Sequence, residues 1–433
     1  MTTPTGPGPA VPRGRAPGAA PAGDHLRRRV VRVLAAGQVL GGLGGGATLS
    51  LGALLLTEVS GSAAWSGMAA TMATLGAALL AVPLARLAQA RGRRVSLSTG
   101  AVVAVAGGGV VVAAAVVGSL VLLLAGLLLM GAGQALNLQA RFAATDLATA
   151  ATRGRDLSLV VWSTTVGAVA GPNLFEPGEA VGRGLGLPPF TGGFVISGVA
   201  QLLGAVVYLV ALRPDPLLAA TAAAAAAERA AGDVPPPGAQ GRPEGGLAVL
   251  RSSPAARRAV ATVALSHAVM VALMSMTPVH LTGHGASLGL VGLTISLHVA
   301  GMYALSPVFG ALTDRVGARA VVLGGQGLLA AALLLSLVGA DDATWVTASL
   351  VLLGLGWSAA TVAGSTLVSA AVEPRRRPRL QCVSDAAMGL VGAAGGALAG
   401  PTLARAGFDG LAGVLLVLVA VVVVVQGRRR PAP

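Results

Sequence analysis

Two imidazoles in this chain lie where ionisable groups are costly. His267 falls near the middle of the apolar stretch 259–280, and His298 near the middle of the stretch 287–311. An imidazole titrates near neutral pH, so it can collect a proton on one side of a barrier and release it on the other, or hydrogen-bond a polar ligand. Charged groups are rare at membrane depth, which makes each one a site candidate. No acidic residue lies closer to the middle of its stretch than these two. Asp385, in the first third of the stretch 383–404, is the nearest competitor. Gln134 and Asn137 in the stretch 119–141 and Trp357 in 344–368 add two amides and an indole N–H able to orient a ligand. No metal-ligand spacing or nucleophile–base constellation accompanies them. The glycine run at 41–46 lacks the lysine and flanking strand of a phosphate-binding loop. Proton or ligand handling is the chemistry on offer, with no cofactor, no metal and no enzymatic step.

The elements that position these residues follow from composition. Of 433 residues, 54% are hydrophobic and only 11% charged. A soluble domain carries roughly 25% charged residues, so this is an integral membrane chain. A spanning helix needs about 20 apolar residues. Twelve such stretches are present, near 30–57, 64–85, 96–117, 119–141, 157–179, 191–212, 259–280, 287–311, 320–339, 344–368, 383–404 and 409–427. The first follows a Pro/Gly/Ala-rich tail without a small-residue cleavage site at signal-peptide distance, and is expected to be retained.

The net charge of +14 is carried by 30 arginines and no lysine. With the N-terminus cytoplasmic, every arginine except Arg183 and Arg405 falls in a tail, a cytoplasmic loop or the cytoplasmic end of a span. Positive residues concentrate on the cytoplasmic side of membrane proteins, so both termini are expected inside. That placement also argues against nucleic acid as the partner of the charge. Cys382 is the sole cysteine, so disulfides play no part. The bacterial cytoplasmic membrane is the expected location, and a monomer in the lipid bilayer the expected form.

The spans fall into two sets of six. Residues 1–27 read as a disordered tail, 28–212 as the first six-helix bundle, 213–258 as a linker, 259–428 as the second bundle and 429–433 as a tail. The halves repeat each other. Residues 156–172 and 385–401 each begin with Asp and close with G-x-x-x-G-P: Gly167, Gly171 and Pro172 in one, Gly396, Gly400 and Pro401 in the other. Gly131-Ala132-Gly133 matches Gly354-Leu355-Gly356, and Asp146 matches Glu373 in the loop that follows. Ala90-Arg91-Gly92-Arg93-Arg94 matches Arg315-Val316-Gly317-Ala318-Arg319. An internal repeat around a central site marks a transporter.

The most specific motif is the turn at 310–319, with Gly310, Asp314, Arg315, Gly317 and Arg319 between two apolar stretches. Its glycines let two helices end close together, and its charges hold the turn at the membrane surface. This turn resembles the cytoplasmic loop signature of the major facilitator superfamily of secondary transporters. Its first-half counterpart has Gln89 where the pattern expects Asp, so its charge lock is expected to be the weaker one. The G-x-x-x-G-P of span 5 resembles the signature of the superfamily's drug:proton antiporters, although Asn173 to Glu176 replace the glycines that follow there. Those exporters often carry an arginine in span 4, three residues before a Gln-Gly pair. Here Leu127 stands at that place, and Arg141, nearer the span's end, is expected to snorkel to the interface.

The resemblance implies an all-α fold of twelve transmembrane helices in two pseudo-symmetric halves. It implies a cavity lined by spans 1, 4, 7 and 10. It also implies a conformational lock on the cytoplasmic side, whose counterparts here are Gly310, Asp314, Arg315, Gly317, Arg319, Glu373, Asp146 and Arg93, acting against the start of span 5 at Arg155 and Asp156. The six Gly and Pro residues of the repeated G-x-x-x-G-P form the expected helix-packing hinge. His267, His298, Asp385, Gln134, Asn137 and Trp357 are the expected substrate or proton residues. The function expected is export of small, mostly apolar or weakly cationic molecules in exchange for protons. Import or uniport of a polar metabolite is the alternative, and a non-transporting membrane sensor or scaffold a remoter one.

Overall fold

The computed structural model describes residues 22–149, 152–231, 246–372 and 377–427. Its first-half helices are α1 (Ala22–Ser60), α2 (Met68–Arg91), α3 (Arg93–Val117), α4 (Leu120–Thr145), α5 (Arg153–Ala170), α6 (Phe175–Gly184) and α7 (Gly192–Ala211). Two short helices follow, α8 (Pro216–Ala231) and α9 (Gly246–Ser252). The second half holds α10 (Pro254–Gly283), α11 (Leu288–Tyr303), α12 (Ser306–Val316), α13 (Ala318–Val338), α14 (Ala343–Ala370) and α15 (Arg377–Gly427).

These elements give the twelve expected crossings, with three local departures. Span 5 is broken: α5 ends where Pro172 withholds a backbone N–H, and a 3-10 turn over Gly171–Leu174 leads into α6. Span 8 is the pair α11 and α12. Spans 11 and 12 run on as one helix except at Gly407, whose φ of 74° and ψ of −178° are not helical. The chain reverses there. Near one end of α15, Leu380 packs with Val249 and Val260, and near the other, Gln426 bonds Thr262, close to the start of α10. Between them, Phe408 stacks on His280, near the far end of α10. Only glycine adopts that φ freely.

Loop serines set several helix starts. Ser119, Ser253 and Ser287 each accept an N–H from the first turn of α4, α10 and α11. Asp342 does the same for α14. Helix α1 starts earlier than a tail ending at residue 27 allows. Asp24 sits in its first turn, where a carboxylate complements the helix dipole, and Arg27 is anchored to Asp156 on α5. Residues 1–21 and 428–433 lie outside the described residues, as do 232–245 of the expected linker. The six successive alanines at 222–227 of that linker form part of α8.

Packing divides the molecule by depth. Call the side where α1 begins and α15 ends the arginine-rich side. Toward the opposite side, one buried cluster joins both halves, with Leu54, Leu127, Phe175 and Phe194 against Leu273, Met276, Ile295 and Leu411. Toward the arginine-rich side the core separates. Val30, Leu34, Leu97, Val160 and Leu212 cluster within the first half, while Val249, Val260, Val368 and Leu380 cluster within the second. The halves meet at one end and part at the other.

Candidate functional site

The meeting end is a seal made of two helix pairs. Between α2 and α15, Gly67 lies against the Gly396 carbonyl, Gly400 against the Ala64 carbonyl, and Thr71 Oγ1 donates to Ala393 O at 2.7 Å. A Cβ on Gly67 or Gly400 would enter the facing backbone, so only glycine permits this approach. Between α5 and α11, Ser296 Oγ donates to Val169 O at 2.6 Å and accepts from Asn173 Nδ2 at 2.7 Å. Ser66 Oγ, fully buried, sits 3.2 Å from Met276 Sδ across the same boundary. Among the described residues, these are all the hydrogen bonds joining the two halves, and none lies near the arginine-rich side.

The repeated glycine motif therefore does two different jobs. Gly167 and Gly171 pack on the Val39 and Leu43 carbonyls of α1, inside the first half. Gly396 packs on α2 and Gly400 on the 3-10 turn Ala63–Trp65 just before it, both across the boundary. Pro172 is buried and offers its carbonyl to Gly292 of α11, while Pro401 is only half-buried within α15.

Below the seal lies the candidate ligand space. His267 on α10 accepts the Trp357 Nε1–H at 3.0 Å through Nδ1, which places the proton of its neutral ring on Nε2. Tyr303 on α11 meets Trp357 edge-on, with ring centroids 5.9 Å apart. Gly392 of α15 faces the His267 ring. Asp385, two turns before Gly392 on α15, is exposed. Arg141, also exposed, lies within electrostatic reach of both Asp385 and Tyr303, which belong to the other half. Gln134 and Asn137, half-buried, share its helix face by spacing.

His298 is placed differently. It is fully buried, and its Nδ1–H donates to Leu350 O of α14 at 2.8 Å, leaving Nε2 unpaired. That ring ties α11 to α14 inside the second half. Sequence position put the two histidines at similar depth, but only His267 touches the aromatic group beside Gly392.

The charged turns are arranged within halves. Arg93 forms a two-point ion pair with Asp146, Nε to Oδ2 at 2.9 Å and Nη2 to Oδ1 at 3.3 Å. Burial pushes the Asp146 carboxyl above the usual carboxylate range, against the pull of Arg93, and the Asp215 charge adds to that push. Arg27 grips both oxygens of Asp156 at 2.7 Å, so the acid expected to face the second half is occupied by α1. Asp314, Arg315 and Gly317 are exposed and Gly310 is half-buried. Arg319 Nη2 donates to Gly427 O at 3.0 Å. Glu373 lies outside the described residues.

Sequence reasoning passed over three groups. Tyr303 carried no charge to mark it. Asp215 sat in what read as linker. The third is a pocket of about 440 Å³ at the end of the second half away from the arginine-rich side, where His280, His284, Asp341 and Phe408 come together. It stands apart from the space between halves.

Comparison with known proteins agrees with this architecture. The family model described as Major Facilitator Superfamily matches residues 34–292 and 259–433. The chain is 36% identical to an uncharacterized MFS-type transporter, YddS, of Bacillus subtilis (strain 168), over 94% of this chain and 92% of that one. It is 29% identical to the riboflavin transporter RfnT of Brucella anthropi, over 92% of this chain and 94% of that one. Among solved structures it is similar to a bacterial homolog of the human lysosomal transporter Spinster in an inward-facing, unoccupied conformation. That match has a TM-score of 0.67 at 17% identity, covering 95% of this chain and 96% of that one. Two helical halves, sealed at one end, accord with what the sequence comparison shows directly: this chain belongs to the major facilitator superfamily, whose members are transporters and not enzymes.

Proposed function

We propose that the chain is a secondary transporter of the bacterial cytoplasmic membrane, with both termini cytoplasmic, that exports small, mostly apolar or weakly cationic molecules in exchange for protons. The observation that carries this reading is the His267–Trp357–Tyr303 group beside the gap between halves. Aromatic faces offer apolar area for a flat ligand. An imidazole adjoining them supplies a ring nitrogen able to take up a proton or to hydrogen-bond a ligand. The seal away from the arginine-rich side, with cores separated on the other, supports alternating access from a state open to the cytoplasm. The turn at 310–319 then serves as the lock that closes this side, with Asp314 and Arg315 exposed in the open state.

A second reading, import or uniport of a polar metabolite, is favoured by one observation. Arg141 and Asp385, from opposite halves, lie within electrostatic reach of each other, and one charge of each sign suits a ligand with both donors and acceptors. The relative named a riboflavin transporter fits a flat heteroaromatic ligand under either reading.

The experiment that separates them uses proteoliposomes with an imposed pH gradient and two fluorescent probes, ethidium and riboflavin. Export by antiport gives ethidium movement against its gradient that a protonophore abolishes. Riboflavin movement that ignores the protonophore, without ethidium movement, overturns the antiport reading in favour of the second.

A further inference from the structure

The turn between α2 and α3 lacks an acid at residue 89, yet the structure supplies one from elsewhere. Asp215 stands in the short turn between α7 and α8, and its carboxylate bridges two helix starts. Oδ2 accepts the Arg94 N–H of α3 at 2.7 Å. Oδ1 accepts the Leu217 and Leu218 N–H groups of α8 at 3.0 and 3.2 Å. The residue at the head of α3, Gly92, has φ 88° and no side chain to cap with. A Cβ there would strike Asp215, so the close approach needs the glycine twice over, for its conformation and for its space. Two helix N-termini thus point their unpaired N–H groups and positive dipole ends at one carboxylate. Arg93, between Gly92 and Arg94, is held by Asp146, whose charge lies within reach of Asp215.

The other half has a matching device of different chemistry. The head of α13 is Gly317, with φ 89° and again no side-chain cap. Arg319, two residues on, as Arg94 is from Gly92, bonds the Gly427 carbonyl at the end of the last span. Each signature turn is therefore tied to the exit of the last span of its own half.

We infer that Asp215 is a positioning residue for transport: it holds the α2–α3 turn, together with the start of α8, in the geometry this turn must present when the arginine-rich side closes. The inference rests on the alternating-access reading above. The clasp keeps the turn, the end of span 6 and the head of α8 moving as one body. Without it the turn samples other positions, and closure must order it again at each cycle.

The test needs no substrate. In a Cys382→Ser, Ser66→Cys background, the new thiol is buried in the seal and reacts with a small maleimide only when the seal opens, which requires the arginine-rich side to close. Asp215→Ala is expected to slow this alkylation between about twofold and about thirtyfold, the range of a lost helix cap. Asp215→Asn, which keeps one oxygen for the α8 N–H groups but sets an NH2 donor against the Arg94 N–H, is expected to slow alkylation nearly as much as Asp215→Ala. Gly92→Ala, which leaves the carboxylate intact but pushes the turn off it, is expected to slow alkylation as Asp215→Ala does, and keeps the test available if that variant does not fold. Equal alkylation in the Ala variants and the parent overturns the inference. So does an Asp215→Asn rate equal to that of the parent. Absence of any alkylation in the parent refutes the alternating-access reading itself, and the inference with it.

Discussion

Replacing Ser296 by Ala removes two of the four hydrogen bonds across the seal in one step. The hydroxyl donates to Val169 O at 2.6 Å and accepts from Asn173 Nδ2 at 2.7 Å. Hydrogen bonds between membrane helices are worth about 0.6 kcal/mol each on average, with a maximum near 1.7. Two of them give about 1.2 kcal/mol on average and about 3.4 at most. At about 1.4 kcal/mol per factor of ten, the balance shifts toward the state with an open seal by roughly 7-fold, and by no more than about 270-fold. The lost methylene-to-methyl change at a small, buried position adds little, because the neighbouring contacts of Gly292 with Pro172 remain. Asn173 is exposed and keeps its bond to Val169 O at 3.1 Å, so no buried donor is stranded to confuse the reading. Alkylation of the Ser66→Cys reporter in the Cys382→Ser background measures the shift directly and should accelerate by that factor. Thr71→Val, which removes the bond to Ala393 on the other helix pair, should accelerate it by about threefold. An unchanged or slower rate in Ser296→Ala would refute the view that these bonds hold the seal.

Asp314→Asn should impair transport in the proteoliposome assay while leaving yield and melting temperature unchanged, since this exposed carboxylate makes no ion pair among the described residues. The loss should correspond to roughly 1–3 kcal/mol of closed-state stability, the value of a charge-assisted hydrogen bond. His267→Gln should alter the pH profile of transport, whereas His298→Gln should lower thermal stability and leave the profile alone, because His298 is enclosed between α11 and α14. Identical profiles for both variants and the parent would remove His267 from proton handling. Arg93→Ala should destabilise the protein by about 3–5 kcal/mol by stranding a largely buried Asp146, and the double variant Arg93→Ala/Asp146→Ala should recover most of that loss. Thermal unfolding in detergent checks both, and a single variant as stable as the parent contradicts the pairing.

The count of crossings, their order and the repeat were legible in the sequence for one physical reason. Hydrocarbon admits only segments of about 20 apolar residues with their backbone bonds satisfied internally, so each span announces itself locally. The same locality hid which way each span faces. Both sides of a membrane helix are apolar, so the pattern along it carries little rotational information, and orientation is decided by packing against neighbours. Arg141 read as an interfacial arginine from its position along span 4, and that position could not say that its charge lies within reach of Asp385 and Tyr303 in the other half. His267 and His298 read alike, and one meets Trp357 while the other meets a backbone carbonyl. Gly167 and Gly396 share a motif but contact different partners, because span 5 packs on α1 of its own half and span 11 on α2 of the other. Charge partners were equally out of reach, since Arg27 and Asp156, or Asp215 and Arg94, are brought together only by the bundle. What the sequence determined by itself was the set of spans and the residues of each able to carry charge. The tertiary structure alone decided which of those residues share a space, because that depends on helix rotation and on contacts between segments more than a hundred residues apart in the chain.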